Sequence, residues 1–272
     1  MSLKQYLRKI KKRFFKKNEN YLDIHITEHC NLNCKSCAHF SPIAEKKFID
    51  LNKLTQTYTN LCKYYNKFFD SIHLLGGEPL LHPQIIEILN LTRSFFPRKK
   101  IEIVTNGILL TKMPEKFWQT CYNNNISIYV SQYSKIIDYS KMIQIIERYK
   151  VKYHLSSPIN EFRNYYLNIN AQNSDKDINY KQCKYGGQCM QLKDNKIYPC
   201  YTAAYIEHVN KYFNTNFEQQ KEDYIELNHV ITKKEFKKIR KKAIPFCKYC
   251  DMKNAKDVKW AISKKNRNEW IK

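Results

Sequence analysis

The chain has 272 residues, a hydrophobic fraction of 43%, five glycines and a net charge of +23. That length suits one large domain, or a core domain with a small appendage, and the scarcity of glycine excludes a glycine-rich low-complexity protein. No run approaches the roughly 20 apolar residues of a membrane-spanning helix, and the basic N-terminus lacks the apolar run of a secretory signal, so we expect a cytoplasmic protein.

The chain begins with a basic segment, residues 1–20. Within it, residues 3–17 predict an amphipathic helix, because apolar residues recur at helical spacing among lysines and arginines. These apolar positions are Leu3, Leu7, Ile10 and Phe14. Such a helix could lie on an acidic membrane surface, at the inner face of the membrane, or pack on the rim of the core. The charge favours anionic partners, although a lysine-rich composition needs no ligand.

Short apolar strands then alternate with helices over about 135 residues. The predicted strands are 21–27, 71–75, 101–105, 126–131 and 151–156. The predicted helices are 53–69, 83–96, 114–121 and 139–149. This alternation indicates parallel strands joined by right-handed crossovers. We expect an α/β fold, either a partial TIM-like (β/α)6 barrel or a doubly wound sheet, in a core domain over residues 21–180.

The alternation stops after residue 156. Residues 157–182 are polar and predict mostly loop, and residues 189–200 predict a hairpin with Asp194 and Asn195 at its turn. We therefore place a separate C-terminal extension at residues 181–272. Two helices are expected there: one to about residue 242, beginning at a capping box of Thr232 and Glu235, and one over 255–270.

Ten cysteines are many for a protein in a reducing compartment, where disulfides are rare. Cys62 and Cys121 stand apart in helical apolar patterns and are predicted to be buried core thiols. Cys30, Cys34 and Cys37 directly follow the first predicted strand. Three thiolates on a [4Fe–4S] cluster leave one iron open to bind a small molecule.

A zinc site is the alternative for this loop. It could use the three cysteines with His29 or His39 as the fourth ligand. Structural zinc sites usually pair two short clips of ligands, whereas this is one continuous loop. Its position after a barrel strand also favours catalysis, because such loops form the active face of a barrel.

The loop HITEHCNLNCKSCAHFSP, residues 25–42, is followed at the next strand end by GGEP, residues 76–79. This pair resembles the radical S-adenosylmethionine (SAM) superfamily. The resemblance implies that Cys30, Cys34 and Cys37 bind the cluster, that SAM chelates the open iron, and that the second motif contacts the SAM amino group. The residues implied in SAM binding are Gly76, Gly77, Glu78, Pro79, Asn106 and Ser131. Ser36 departs from the family, which often has an aromatic residue before the third cysteine.

Five further cysteines lie in the C-terminal third, in CKYGGQCMQLKDNKIYPC and, after a gap, in IPFCKYC. This pattern resembles the twitch or SPASM extension of radical SAM enzymes, in which four cysteines hold an auxiliary [4Fe–4S] cluster. The resemblance implies Cys183, Cys200, Cys247 and Cys250 as ligands, with Cys189 as a substitute for Cys183. A four-cysteine zinc ribbon is the alternative.

The resemblance implies a radical SAM enzyme of oxidoreductase type. An external donor of the flavodoxin or ferredoxin type would supply the electron that cleaves SAM to a 5′-deoxyadenosyl radical, which abstracts hydrogen from a substrate. We expect a sugar-like, cyclitol-like or phosphorylated metabolite; the alternatives are a peptide or protein maturase and a glycyl-radical activase, which would not need the second cluster. A zinc-containing nucleic-acid-binding protein would not explain GGEP at a strand end, so nucleic acid is not an expected partner.

Overall fold

The computed structural model describes residues 20–133, 138–171 and 174–272. The predicted N-terminal amphipathic helix, residues 3–17, lies outside the described residues. Among the helices of the described ranges, none combines the length and the apolar character needed to cross a membrane.

Ten strands and seven α-helices follow one another in the described chain. The strands are β1 (Tyr21–Thr27), β2 (Ser71–Gly76), β3 (Lys100–Thr105), β4 (Ile126–Val130), β5 (Tyr153–Leu155), β6 (Glu161–Asn164), β7 (Met190–Lys193), β8 (Lys196–Tyr198), β9 (Ile225–Glu226) and β10 (Lys256–Lys259). The helices are α1 (Leu51–Tyr64), α2 (Ile85–Phe95), α3 (Glu115–Asn123), α4 (Tyr139–Arg148), α5 (Lys176–Gln182), α6 (Tyr201–Phe213) and α7 (Lys233–Ile239).

Eight of the strands form one sheet in the order β5-β4-β3-β2-β1-β7-β8-β9. The neighbours from β5 to β7 are all parallel, and β8 and β9 continue the sheet antiparallel. The expected α/β fold is confirmed, and the barrel is partial and not closed, because β5 and β9 are the edges of the sheet. The sixth parallel strand is β7, the first strand of the predicted hairpin. It pairs with β1 from Leu22↔Met190 to Ile24↔Leu192.

One side of the parallel strands is apolar because alternate residues of a strand face opposite sides. In β1, Leu22, Ile24 and Ile26 belong to the main apolar core, which also buries Leu54 and Tyr58 of α1. The helices that connect the strands therefore cover this side of the sheet.

The opposite side carries a row of polar residues in register. Asp23, His73, Glu102 and Ser127 are successive Cα partners across β1, β2, β3 and β4. His73 Nδ1 lies 3.0 Å from Asp23 Oδ1, and Ser127 Oγ donates to Glu102 Oε1 at 3.1 Å. Gln191 of β7 extends the row by donating from Nε2 to Asp23 Oδ2 at 2.7 Å. The concave side of the partial barrel is therefore lined by hydrogen-bonding groups.

A second apolar core joins the cysteine loop to the C-terminal part of the chain. Phe40 and Ile43, just after the third cysteine of the loop, are buried in the same cluster as Tyr205, Phe246 and Trp270. The loop after β1 is therefore packed against residues more than 150 positions away.

The C-terminal half differs from the prediction in two places. Residues 157–182 were expected to be mostly loop, and they also contain β6 and α5, which were not predicted. Residues 255–270 were expected to be a helix, but they contain β10 and a short 3-10 turn, Arg267–Glu269. β10 pairs antiparallel with β6, so a partner about 95 residues away overrides the local helical tendency. Helix α6 was not predicted at all.

The predicted hairpin is confirmed. β7 and β8 pair antiparallel, and the two turn residues, Asp194 and Asn195, have φ values of 47° and 57°. Positive φ at both central residues is the requirement of the turn that matches the twist of paired strands. The capping box of Thr232 and Glu235 is also present, with both reciprocal hydrogen bonds.

We predict that Asn195→Ala lowers the free energy of unfolding by about 1 kcal/mol, because alanine tolerates left-handed backbone less well than asparagine. Asn195→Gly should be neutral or slightly stabilising. Urea titration followed by tryptophan fluorescence measures both. Asn216→Ala is the control, since Asn216 is exposed and does not have a positive φ. Equal losses for the alanine and glycine variants would contradict the turn assignment.

Candidate active site

The loop after β1 brings the first three cysteines together. Burial raises the pKa of the Cys30 and Cys34 thiols to about 12, and the neighbouring cysteine Cys37 raises both further, because it lies close enough for its ionised form to repel a second thiolate. Metal binding at these sulfurs must therefore displace protons. The loop is a series of tight turns, in which Cys34 O accepts from Cys37 N at 3.2 Å and Cys37 O accepts from Phe40 N at 3.1 Å.

The GGEP segment is pressed directly against this loop. Gly77 N donates to Thr27 O at 2.7 Å, and Glu78 N donates to His29 O at 3.1 Å. A Cβ atom on Gly77 would lie 2.0 Å from His29 O, and one on Gly76 would lie 1.9 Å from Thr27 O. Only glycine permits this approach, so the two sequence motifs form one rigid unit in space.

Glu78 is fully buried beneath this contact. Its Oε1 accepts from Thr105 Oγ1 at 2.7 Å and from Leu80 N at 3.0 Å, and its Oε2 accepts from Asn106 N at 2.9 Å. Burial raises the pKa of Glu78 to about 7, although these hydrogen bonds oppose the rise. Three of about four acceptor positions are thus used within the chain. The carboxylate ties the end of β3 to the turn that begins at Pro79.

Asn106 continues the same network towards the cysteines. Its Nδ2 donates to Asn31 Oδ1 at 2.7 Å and lies 3.7 Å from Cys30 Sγ. Ser131 lies at the end of β4, where its backbone N–H donates to Thr105 O at 2.9 Å. The structure therefore places Asn106 beside the cysteine loop, whereas the described hydrogen bond of Ser131 links it to the neighbouring strand end.

Sequence reasoning did not foresee that the C-terminal segment covers the cysteine loop. Ser36, where the family often has an aromatic residue, is buried and donates from Oγ to Glu269 O at 3.2 Å. Trp270 Nε1 donates to Cys37 O at 3.0 Å. No sequence signal predicted these contacts, because they join parts of the chain that are more than 230 residues apart.

The second set of cysteines lines a pocket that is partly open to solvent. The cysteines on its wall are Cys183, Cys200, Cys247 and Cys250. Cys183 directly follows α5 and Cys200 directly precedes α6. Each thiolate of a four-cysteine [4Fe–4S] cluster binds a different iron, so the four ligands must face one common space, and these four cysteines line one pocket.

Cys189 is placed differently from these four. It is not part of the cavity lining, and Tyr21 OH donates to its sulfur at 3.7 Å. Burial raises the pKa of Cys189 to about 12.

Over the described ranges 20–133, 138–171 and 174–272, no group of three or more His, Cys, Asp or Glu side chains is arranged around the position of one metal ion.

Cys62, Cys121, His29 and His39 lie against apolar or aromatic side chains. Cys121 is buried in the main core, as predicted. The same prediction is wrong for Cys62, which is only partly buried at the edge of this core, where its thiol donates to Phe95 O at 3.5 Å. His29 and His39 pack edge-on against aromatic rings, His29 against Phe48 and His39 against Tyr201.

Comparison with known proteins agrees with this geometry. Residues 24–153 match the radical SAM superfamily. The match spans a little under half of the chain. It contains both the cysteine loop and GGEP, together with the strand ends that carry Asn106 and Ser131.

Curated relatives match over part of their length. Molybdenum cofactor biosynthesis protein 1 of Bos taurus is 32% identical over 99 residues, which are 36% of this chain and 16% of that protein. GTP 3′,8-cyclase of Alkaliphilus oremlandii is 31% identical over 104 residues, 38% of this chain and 32% of that protein. The chain thus spans a third or less of these relatives.

Among solved structures, BtrN in complex with AdoMet and 2-DOIA is similar, with 18% identity and a TM-score of 0.48. That similarity covers 87% of this chain and 94% of BtrN.

The buried carboxyl of Glu78 predicts a pH dependence of stability. The unfolded chain releases this proton near pH 4.5, whereas the folded chain keeps it to about pH 7. The folded state therefore binds more protons between these values, and stability falls as pH rises. The protonated carboxyl of Glu78 therefore contributes about 3 kcal/mol to the free energy of unfolding. This contribution is fully present below pH 4.5 and is lost as pH rises through 7.

Urea unfolding of the wild type and Glu78→Gln at pH 5 and pH 8 measures this effect. The wild type should lose stability relative to Glu78→Gln on going to pH 8. Glu87→Gln, which changes an exposed glutamate of α2, is the control and should follow the wild type. A parallel pH response of wild type and Glu78→Gln would show that the carboxyl does not titrate in this range.

Proposed function

We propose that this protein is a radical SAM enzyme whose substrate radical chemistry takes place beside a second, auxiliary iron–sulfur cluster. The observation that carries the proposal is the union of the cysteine loop with GGEP through the contact of Gly77 with His29. Two motifs that are 39 residues apart in the sequence, from Cys37 to Gly76, thereby form one surface.

The chain's own residues supply ligands and orientation. Cys30, Cys34 and Cys37 would hold a [4Fe–4S] cluster, and GGEP with Asn106 would orient SAM. The cluster, once bound and reduced by a flavodoxin or ferredoxin-type donor, supplies the electron that cleaves SAM to methionine and a 5′-deoxyadenosyl radical. Glu78 holds the strand ends in place through its buried hydrogen bonds, and a remaining acceptor position of its carboxylate would meet the SAM ammonium.

Cys183, Cys200, Cys247 and Cys250 are proposed as ligands of the auxiliary cluster, in an extension over residues 181–272 that follows a core of residues 21–180. Their common cavity supports this assignment. Cys189 is the less suitable ligand, because its sulfur lies outside that lining and accepts from Tyr21. Full cysteine ligation suits electron transfer, so the auxiliary cluster would accept or relay an electron.

The substrate proposed is a small, hydroxyl-rich metabolite of the sugar or cyclitol type, with or without a phosphate. The polar row of Asp23, His73, Glu102 and Gln191 on the concave side supports it, since these side chains could exchange hydrogen bonds with hydroxyl groups. The name of the relative GTP 3′,8-cyclase is also compatible with a nucleotide-linked substrate. A net charge of +23 favours an anionic substrate in either case.

Anaerobic reconstitution tests the enzyme assignment. We expect about eight irons per chain and 5′-deoxyadenosine formation with dithionite and SAM. The triple variant Cys30→Ala/Cys34→Ala/Cys37→Ala should lose SAM cleavage and retain about four irons. Cys121→Ala, which changes a core cysteine away from both sets, is the control and should keep both clusters. A wild type that binds zinc instead of iron and cleaves no SAM would contradict the proposal.

The choice between Cys183 and Cys189 has a separate test. In Cys183→Ser the iron content should fall towards four per chain, while Cys189→Ser should keep about eight. The two substitutions are matched, because both cysteines lie in the connection between α5 and β7. The reverse pattern of iron loss would assign Cys189 as the ligand.

A further inference from the structure

The last seventeen residues, 256–272, lie across the cysteine loop. β10 first pairs with β6, and the chain then forms backbone hydrogen bonds with the loop itself. Lys35 N donates to Ala261 O at 2.8 Å, and Ser263 N donates to Asn33 O at 2.7 Å. These two hydrogen bonds flank Cys34, which forms an isolated β-bridge with Ile262.

Trp260 lies two residues before Ile262 and points its indole at the loop. Its Nε1 donates to Cys34 Sγ at 3.2 Å. Its backbone N donates to Asn160 O at 2.8 Å, and its ring packs against Tyr133 with the centroids 5.9 Å apart. The indole is therefore held from the backbone and from the ring face, and tryptophan has no other polar atom to offer.

Other donors also reach these sulfurs. The Tyr133 side chain hydrogen-bonds to Cys34, and the Ser41 side chain hydrogen-bonds to Cys37. Leu32 N lies 3.4 Å from Cys30 Sγ, and Asn106 Nδ2 lies 3.7 Å from the same atom. The Trp260 contact to Cys34 is shorter than both contacts to Cys30, and it comes from a segment outside the 24–153 match.

We propose that Trp260 is a positioning residue that tunes the cluster bound at Cys30, Cys34 and Cys37. Reduction adds negative charge to the cluster and its thiolates, and a hydrogen bond to a thiolate sulfur stabilises the more negative state. The indole N–H therefore raises the reduction potential and makes the cluster easier to reduce. This inference rests on the proposed function, since it presupposes a cluster at these cysteines.

The test is a potentiometric titration of the reconstituted full chain, followed by electron paramagnetic resonance. The cluster at this loop is identified as the one whose signal changes when SAM is added. In Trp260→Phe its midpoint potential should become more negative, while the potential of the auxiliary cluster should not change. One exchangeable-proton coupling should also disappear from its hyperfine spectrum in the variant.

A loss of ring packing could also move the potential, so a second substitution removes only the donor. Benzothienylalanine at position 260 keeps the bicyclic ring and replaces N–H with sulfur, and it should reproduce the negative shift. The same replacement at Trp118, whose Nε1 donates to Met113 O in the main apolar core, is the control and should leave the potential unchanged.

The outcomes separate the two proposals. An unchanged potential with benzothienylalanine at position 260, in a protein that shows a SAM-responsive cluster, would overturn the role of Trp260 and leave the proposed function standing. A wild type without any SAM-responsive cluster would overturn the proposed function, and the inference with it.

Discussion

The close approach of two parallel strand ends organises the rest of the site. β1 and β2 end at adjacent positions of the sheet. Because Gly76 and Gly77 have no Cβ atoms, the segment after β2 can contact the backbone of Thr27 and His29. The next residue, Glu78, accepts a hydrogen bond from Asn106 N at the end of β3, and Asn106 in turn donates to Asn31 in the cysteine loop.

The two faces of the parallel strands differ in polarity: one packs into the apolar core, and the other carries hydrogen-bonded polar side chains. Residues of even number in β1 enter the core beneath α1, while Asp23 joins the hydrogen-bonded row on the other side. Such a row is costly to bury unless its members are paired. Here His73 lies between Asp23 and Glu102, and Lys100 lies 3.3 Å from the same Glu102 carboxylate. The concave side therefore keeps its polar groups in fixed positions.

Local sequence patterns correctly predicted those elements whose conformation is determined by neighbouring residues. β1 was predicted with its observed limits, and the Asp194–Asn195 turn follows from backbone preference alone. The prediction failed where residues distant in the sequence determine the conformation. β10 is a strand because it pairs with β6. Helix α6 was missed because it is buried on most of its faces, from Thr202 to Val209, and so lacks a clear polar stripe.

The cysteine motifs could be recognised in the sequence, but the residues that surround them in the structure could not. Thiol spacing in the loop is local, whereas the covering of that loop is a long-range arrangement. Phe40 and Trp270 share one apolar cluster with Phe246, which directly precedes Cys247. One core thus supports both cysteine sets, so a change that loosens this core should disturb both sites, even though no cysteine is altered. Their separation in the sequence does not make them structurally independent.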